Sequence, residues 1–599
     1  MPLSTDDSSH LSAAAAALHV RGATRCRPAR QRGAIAVLAA VWIGLAVVAL
    51  AALDVGNAFL MRRQLQRTAD MAALAGAQSI GVAAGCAAAT AAAQGSARAN
   101  GLPAAPRASL SVSCGRWDPT VNAGASYFST TGAPQNAVQV KVSQNLPYLY
   151  LGPARLVQAQ ASAKASNIGA FSLTTTLASA SPALLNGLLN GLLNTSLNLS
   201  LASYQGLAQT QVKLLDLAAA LGVGSMSQLL NTQVSIAQLA NAMVTAVSQS
   251  SVASASVATD LGTIAAAVPG GPKISLGDSS SANGLLAISL ADQQAAANAT
   301  ISALDALLVA AEIAHGSSAV NLGLGINLGP LVTLTAQAKV LEPPVLAVGE
   351  AGRAPDDTWR TSAHSAQVRV FLNVALLKGV SLLGLANLTA LNLPIYIEAG
   401  QGTAYLQSLR CTTHPATSQS VIVAQPGIAA LCVGADAASN FANTTGSTTC
   451  QKPVTLTSAS LLFSLLGLVN ISVGSTSPPS GLNLSLQAAA PTTLVFNGIA
   501  GDSDDYQSTN TNGAGSATAG LLTQLVSALP GSLHATLLGG LDVTALVAPV
   551  LSAVVSLLSP ILISLDALLV PLLQLLGVQI GISTVHDSGL SCGQAQLVY

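Results

Sequence analysis

Charged residues are scarce in this chain. Only 8% of its 599 residues are Asp, Glu, Lys or Arg, and 23 basic residues balance 23 acidic ones. A neutral chain with so few cations cannot neutralise a phosphate backbone, which argues against a nucleic-acid binder. Intrinsic disorder is also disfavoured, because disordered chains combine high charge with low hydrophobicity. Aromatic residues make up only 3%, so the 51% of hydrophobic residues are mostly Ala, Leu and Val. The composition indicates a membrane-associated or surface-exposed protein of about three or four domain-sized units.

Common catalytic and nucleotide-binding motifs are missing as well: there is no Walker A loop, HExxH motif or G-x-S-x-G elbow. Gly323–Gly329 has the wrong glycine spacing for a dinucleotide loop and predicts a turn. Asp502, Asp504 and Asp505 do not follow the EF-hand pattern, so a solvated loop is expected there. Five histidines lie in the part of the chain after residue 300, and none of them is near a convincing nucleophile and acid. We expect most of these five to lie at the surface: His315, His364, His414, His534 and His586. We therefore expect a protein that is not an enzyme, with no cofactor, no metal and no small-molecule substrate.

A long apolar run stands near the N-terminus. Gly33 to Leu53 contains 21 residues without a charge, enough to span about 32 Å as a helix. Five arginines precede it, namely Arg21, Arg25, Arg27, Arg30 and Arg32. The positive-inside rule then predicts a cytoplasmic segment 1–32, a single transmembrane helix and export of the rest. A signal peptide cleaved at Ala49-Leu50-Ala51 is the alternative, although the run is longer than a usual signal sequence.

The residues after the span predict that the helix continues outwards. Asp54 follows the span directly, and no proline occurs between Asp54 and Gly81. Small and apolar residues recur at helical spacing around the polar Asp70: Leu65, Ala69, Ala72, Ala73 and Gly76. Two interpretations stay open. This face packs on the exported domain, or it docks against similar helices in a filament or an assembly platform.

The seven cysteines fit this topology. Cys26 would lie in the cytoplasm, and the six others would be exported as an even set, which suits disulfides. Cys86 and Cys114 are close in sequence and far from the rest, so we expect them to pair. Cys411, Cys432, Cys450 and Cys592 allow three connectivities, of which Cys432–Cys450 with Cys411–Cys592 is preferred. A zinc site at Cys411 and His414 is disfavoured because no second pair completes four ligands.

The exported part alternates between strand-like and helix-like patterns. Strand alternation occurs at 108–114, 137–142, 157–163, 333–341, 366–374, 395–405 and 419–424. Helical patterns occur at 182–201, 212–221, 235–248 and 287–315. We therefore predict an α+β fold, with a helix plus pilin-like β module at 54–168 and a large mixed helix and β-sheet domain at 169–500.

The C-terminal region is predicted to begin with a linker loop at 501–520, followed by an apolar block at 521–599. Val543–Leu565 carries no charge and is long enough to span a membrane. Pro549, Pro560 and Pro571 are expected to break the block into short helices, with a C-terminal strand after them. A second span would also return Cys592 to the cytoplasm and leave five exported cysteines. Short helices lying on a sheet or at the membrane interface are therefore preferred.

One stretch of the sequence resembles a known family. After the apolar span come Asp54-Val55-Gly56, Arg62-Arg63-Gln64-Leu65-Gln66 and Thr68-Ala69-Asp70-Met71-Ala72-Ala73-Leu74-Ala75-Gly76-Ala77. This combination, over residues 31–80, resembles the N-terminal module of TadE/TadG-like proteins of the Tad (Flp pilus) system.

The remainder is similar to bacterial membrane proteins that carry this module and a long, low-charge C-terminal region. The similarity depends on Ser203–Ala208, Val340–Pro344, Ala366–Val370, Leu393–Ala399 and the closing Cys592. It implies a bacterial inner-membrane protein with a large periplasmic domain and with pilus-assembly proteins as partners. The DxSxS motif of a metal-dependent A domain is incomplete, because Ala282 replaces its second serine, so a direct adhesin role is not implied.

Overall fold

A computed structural model describes residues 32–81, 85–124, 126–150, 152–173, 182–249, 255–268, 270–279, 282–321, 332–376, 381–382, 386–388, 391–412, 414–443, 449–461, 468–486, 490–509, 521–537, 541–576, 578 and 581–598. The helices there are α1 Arg32–Ser79, α2 Cys86–Ala99, α3 Pro182–Leu193, α4 Leu201–Gln209, α5 Leu214–Ala220, α6 Met226–Leu230, α7 Ile236–Gln249, α8 Ala255–Ala267, α9 Ala303–His315, α10 Ala437–Ala442, α11 Leu521–Ser532 and α12 Ala548–Leu575.

The strands run through the whole chain between these helices. In the first half they are β1 Ala108–Trp117, β2 Phe128–Ser129, β3 Ala137–Leu146, β4 Arg155–Lys164, β5 Ile168–Leu173, β6 Gln211–Lys213, β7 Gln233–Ser235, β8 Lys273–Gly277, β9 Gly284–Ser289 and β10 Thr300–Ser302. They continue with β11 Ala319–Asn321, β12 Val332–Glu342, β13 Leu346–Gly349, β14 Ser362–His364, β15 Gln367–Leu376, β16 Ser381–Leu382, β17 Ala386–Leu388, β18 Leu391–Ala399, β19 Thr403–Arg410 and β20 Gln419–Gln425. The last are β21 Ala429–Val433, β22 Val454–Leu461, β23 Leu468–Val473, β24 Ser475–Thr476, β25 Pro479–Ser480, β26 Leu482–Ser485, β27 Thr492–Asn497, β28 Tyr506–Ser508, β29 Leu533–Leu537, β30 Thr584–Ser591 and β31 Gln596–Val598. This mixture of helices and strands confirms the predicted fold class.

The described chain forms two compact units. One contains the N-terminal part of α1, up to Arg63, together with Asn145–Val157. The other contains Gln64–Gln144 and Gln158–Tyr599. Small residues dominate the packing of α1 in this second unit: a Cβ at Gly76 would lie 3.0 Å from Val138 Cγ1 and 3.2 Å from the Ala89 carbonyl oxygen. A residue without a side chain therefore lets α1, α2 and β3 approach closely.

The C-terminal strands complete sheets that begin early in the chain. One of the two described five-stranded sheets has the order β2-β1-β3-β4-β31. The seven-stranded sheet has the order β28-β30-β5-β13-β9-β8-β7. In the first sheet Leu597 pairs with Ala163, and in the second Asp587 pairs with Phe171. Strands β30 and β31, which lie within the predicted C-terminal region 521–599, therefore share sheets with β5 and β4 from much earlier in the chain. The predicted linker loop 501–520 includes β28, which lies at an edge of the seven-stranded sheet, so this part of it is a strand.

Two asparagines fix the position of α3, although this helix contains two glycines. Asn186 Oδ1 accepts hydrogen bonds from the Leu199 amide at 2.8 Å and from the Tyr204 hydroxyl at 2.9 Å. Asn190, one turn later, contacts the backbone of Leu197 in the same way. Residues four apart lie on one face of a helix, and alternate residues of an extended segment face the same direction. The repeated Leu-Leu-Asn-Gly pattern thus binds a polar backbone segment through one helix face.

Local strand predictions agree with the structure more closely than the helix predictions do. The alternating segments at 108–114, 137–142 and 157–163 lie in β1, β3 and β4. The segment predicted as one strand at 395–405 is instead β18 and β19, with a turn at Gly400–Gly402. The single helix predicted at 287–315 is wrong, since β9, a 3-10 turn and β10 precede α9.

The prediction of short helices near the C-terminus is also wrong. α12 is a single helix of 28 residues that includes Pro549, Pro560 and Pro571. Its buried positions recur with spacings of three or four: Val550, Val554, Leu558, Leu562, Leu565, Leu569 and Leu573. An interior proline costs about 3 kcal/mol. Burying several leucines at about 1.5–3 kcal/mol each exceeds that cost.

Candidate membrane anchor and other candidate sites

The N-terminal part of α1 is an apolar helix without packing partners among the described residues. Its most apolar window has a mean hydropathy of 2.7, and none of that window is buried. Large side chains such as Trp42 and Leu45 are exposed around the helix. Exposed apolar surface on every face is typical of a membrane span rather than of a helix on a soluble domain. Gly33 and Leu53, the predicted limits of the span, both lie inside this helix.

The helix acquires a buried face further along. Leu65, Ala69 and Ala73 are 3%, 0% and 0% exposed, because this face packs within the chain. Asp70 lies beside it and accepts a hydrogen bond from Gln66 Nε2 at 2.7 Å. Gln66 Nε2 also donates to the Gln160 carbonyl of β4 at 3.0 Å. Of the two interpretations of the Leu65–Ala73 face, the structure has packing on the chain's own domain, so this face is not free for docking to another protein.

Asp54 connects the end of the apolar run to a distant loop. Its side chain is buried, and its Oδ1 accepts the Leu149 amide at 2.7 Å while its Oδ2 accepts the Tyr150 amide at 3.3 Å. The loop that joins β3 to β4 thereby has two backbone donors satisfied by one carboxylate. The sequence placed Asp54 at the end of the span but gave no sign of this partner, because the two segments are 95 residues apart.

Three disulfides join the six cysteines that were expected to be exported. Cys86 bonds to Cys114, Cys411 to Cys592 and Cys432 to Cys450. This is the connectivity that the sequence favoured. Cys411–Cys592 links the segment after β19 to the residue after β30. Since Cys411 is in a disulfide, it is not available for the disfavoured zinc site with His414.

A buried polar cluster lies where α9 meets β5 and β30. Asp305 Oδ2 accepts a hydrogen bond from Ser172 Oγ at 2.9 Å and lies 2.7 Å from His586 Nδ1. The ring of Tyr506 stacks on His586 with centroids 4.0 Å apart, and burial raises the pKa of the tyrosine hydroxyl. The serine and the histidine share one carboxylate oxygen, so the geometry is not that of a serine activated by a histidine.

His586 is 1% exposed, which corrects the expectation that the exported histidines lie mostly at the surface. A buried histidine is tolerated here because a carboxylate accepts a hydrogen bond from its ring and a tyrosine ring covers its face. The sequence around His586 has no clear alternation, and nothing local to it pointed to Asp305. The cluster therefore stabilises the contact between a helix and two strands.

A second buried polar group lies at the ends of β1 and β13. Arg116 Nε is 3.2 Å from Asp118 Oδ2, and its Nη1 is 2.6 Å from Glu350 Oε2. Asn136 donates to the other oxygen of Glu350 at 3.2 Å. A cleft of about 240 Å³ next to this group is lined by Asn136, Glu350 and residues of other segments, among them Gly81 and Asn167. The two carboxylates outnumber the one arginine, and their hydrogen bonds to Arg116 and Asn136 join segments that are distant in the sequence.

The three aspartates that could have gathered calcium do lie together. One oxygen from each of Asp502, Asp504 and Asp505 falls within 4.8 Å of the others. Asn497 Nδ2 donates to Asp502 and to Asp504, both at 2.9 Å, and the Gly501 amide donates to Asp505 at 2.5 Å. Burial raises the pKa of Asp504 and of Asp505. Protein amides therefore supply the donors in this loop, and the solvated-loop interpretation stays the preferred one.

Several sequence-based expectations lie outside the described residues. They concern residues 1–31 of the segment that was predicted to be cytoplasmic, including Cys26 and four of the five arginines. They also concern the glycine-rich turn predicted at 323–329 and the later part of the predicted linker, 510–520.

Comparisons with known families identify three consecutive regions. Residues 33–79 match the Flp pilus-assembly TadE/G-like family, and residues 75–166 match the Tad-like Flp pilus-assembly family. Residues 181–312, which contain α3 to α8 and most of α9, match a domain of unknown function, DUF8293. Neither the curated proteins nor the solved structures include a significant match to the chain. The N-terminal region of the chain is therefore a Tad-like pilus-assembly module, as its sequence motifs indicated.

Proposed function

We propose that this chain, whose residues 33–166 carry the TadE/G-like and Tad-like Flp pilus-assembly modules, is a non-enzymatic scaffold of a Flp-type pilus assembly or secretion apparatus. The observation that carries the proposal is the continuity of these two modules with an exposed apolar helix. The helix anchors the protein in the bacterial inner membrane, with its N-terminus in the cytoplasm and its bulk in the periplasm. The arginines before the span and the three disulfides after it support this orientation.

The role of scaffold follows from the kind of groups that the chain buries. In the Asp305 and Arg116 groups, buried polar side chains bond to one another and join distant segments, and Ser172 and His586 bond to the same carboxylate oxygen instead of to each other. The partners we propose are other pilus-assembly proteins.

A deletion strain tests the proposal. We expect normal total pilin, little pilin on the surface and reduced adherence, all restored by the full chain. Unchanged surface pilin and unchanged adherence would contradict a role in pilus assembly. N-terminal sequencing of the mature protein separates this function from the alternative of a surface or secreted interaction protein, which requires cleavage near Ala51.

Two complementing variants separate anchoring from docking. Replacing residues 33–53 by an unrelated apolar span should preserve function if this segment only anchors the chain. Met71, in contrast to Ala73, is exposed on α1, and Met71→Asp changes that surface without entering the core. Loss of surface pilin in Met71→Asp but not in Met71→Ala, at equal protein level, would identify the exposed face of α1 as a docking surface.

A further inference from the structure

The loop that joins β3 to β4 exposes an unusual amount of apolar surface. Leu149 and Tyr150 are 62% and 56% exposed, and Leu156, at the start of β4, is 52% exposed. Tyr148 hydrogen-bonds the exposed Arg155 across the same loop. Single exposed apolar residues are normal, but three within eight residues form a patch of the kind that marks an interaction site.

The position of this patch indicates what covers it. Asp54, which holds the Leu149 and Tyr150 amides, is the residue immediately after the apolar span. The loop and the span also belong to one compact unit. The exposed side chains of the loop are therefore continuous with the lipid-facing surface of the span, at the level where the helix leaves the hydrocarbon.

The composition of the loop suits that level. Tyrosine is enriched where hydrocarbon gives way to headgroups, because its ring is apolar and its hydroxyl is polar. An arginine beside it can keep its charge among lipid phosphates while its stem lies along apolar surface. Asp54 satisfies the loop amides, which removes the cost of placing free backbone donors near lipid.

We propose that Leu149 and Tyr150 of the loop between β3 and β4, together with Leu156 at the start of β4, insert into the lipid interface beside the end of the Gly33–Leu53 span, as a second membrane contact positioned by Asp54. The loop penetrates only about 5–10 Å, as interfacial elements do. This contact depends on membrane anchoring alone, so it can fail while the role in pilus assembly holds, and the reverse.

Depth-dependent fluorescence quenching tests the contact in the full chain. Cys26→Ser leaves six cysteines, all in disulfides, so an added cysteine carries the only free thiol. Leu149→Cys is labelled with a polarity-sensitive fluorophore, and the protein is reconstituted in phosphatidylethanolamine and phosphatidylglycerol vesicles. Val121→Cys is the matched control, because Val121 is 66% exposed in the loop after β1. That end of β1 pairs with the beginning of β3, whereas the loop of interest follows the end of β3.

We expect a nitroxide placed near the lipid headgroups to quench the label at position 149, and aqueous iodide to leave it bright. The label at position 121 should show the opposite pattern. Equal iodide quenching at the two positions would overturn the proposal. Protection from iodide without quenching by lipid would overturn it as well, because another protein would then cover the loop.

Asp54→Ala in the Leu149→Cys background tests the positioning role. Releasing the two amides should reduce lipid quenching at position 149, while a label at Leu45→Cys inside the span stays quenched by lipid. Unchanged quenching at position 149 would show that Asp54 does not position the loop. Leu149 and Val121 are both more than half exposed, so neither label removes a buried contact.

Discussion

Two helices of this chain are similar in composition and different in surroundings. The first part of α1 and the first part of α12 have mean hydropathies of 2.7 and 2.1, and both are long and apolar enough to cross a membrane. None of the α1 window is buried in the protein, whereas 39% of the α12 window is. In α12 the buried residues form a stripe that includes Val554, Leu558 and Leu562, and the helix contacts α11 and α3.

The difference shows that hydropathy alone does not separate a span from a core helix. What separates them is whether other parts of the same chain cover one face. In α12 the exposed positions between the buried ones include Ser552, Ser556 and Ser564. α1 has no such polar stripe between Gly33 and Leu53.

The largest effect is expected from a charge in the buried stripe of α12. Leu558 is fully buried, so Leu558→Asp would place an unpaired carboxylate in the core and destabilise the fold by about 4 kcal/mol or more. Thermal unfolding of the purified protein measures this. Ser556→Asp, on the exposed face, is the control and should change the melting temperature little. A stable Leu558→Asp protein would contradict the distinction between the two helices, because α12 would then not be a core helix.

A smaller effect, on membrane insertion rather than on folding, is expected in α1. Leu45→Arg places a cation near the middle of the span, at a cost of about 3 kcal/mol for insertion. The protein that fails to insert should move from the membrane fraction to the alkaline-carbonate supernatant, and it should lack the three disulfides because it remains on the reducing side of the membrane. Leu45→Ala should stay in the membrane with its disulfides formed. A Leu45→Arg protein that stays in the membrane as fully as Leu45→Ala would contradict the assignment of α1 as the anchor.

The contrast between buried and exposed side chains extends to carboxylates and predicts the smallest effect. Hydrogen bonds from Thr544 lower the pKa of the exposed Asp542, whereas burial raises the pKa of Asp587 to about 6. An aspartate in the unfolded chain titrates near about 3.9. Between these two pH values Asp587 is protonated in the folded protein and ionised in the unfolded chain. Its contribution to stability is therefore fully present below about pH 4 and is lost as pH rises through about 6, by on the order of 2–3 kcal/mol.

Asp587→Asn should remove this loss. The amide oxygen can still accept from the Gly589 amide, and its NH2 group can donate to Ser420 Oγ. Denaturant unfolding at pH 4, 5, 6 and 7 should show the variant gaining stability relative to the native protein as pH rises. A difference that does not change with pH would mean that Asp587 does not titrate in this range.

The features that were predicted well from the sequence depend on residues that are close together in the chain. Alternation in β1, β3 and β4 needs only neighbouring residues, and so does the apolar run of α1. The motif from Asp54 to Ala77 is equally local, and its residues alone were enough to identify the module. The pairing of Cys86 with Cys114 also needed only their closeness in the sequence.

What the sequence missed depends on partners far away in the chain. Asp54 and Leu149, His586 and Asp305, and Arg116 and Glu350 each join segments that no local pattern connects. The same limit explains α12. Its prolines suggested breaks, and only the coverage of one face by other elements shows why the helix continues through them.

The pairing of β31 with β4 and of β30 with β5 also determines when these two sheets can be completed during synthesis. Strands β30 and β31 fill places in sheets that contain β5 and β4, which are made more than 400 residues earlier. Until they arrive, both sheets have unpaired edges, and Cys411 has no Cys592 to bond with. Contacts of such long sequence separation form slowly. A chain interrupted before β30 would therefore stay open to proteases, so protection from proteases would report that these two strands have been delivered.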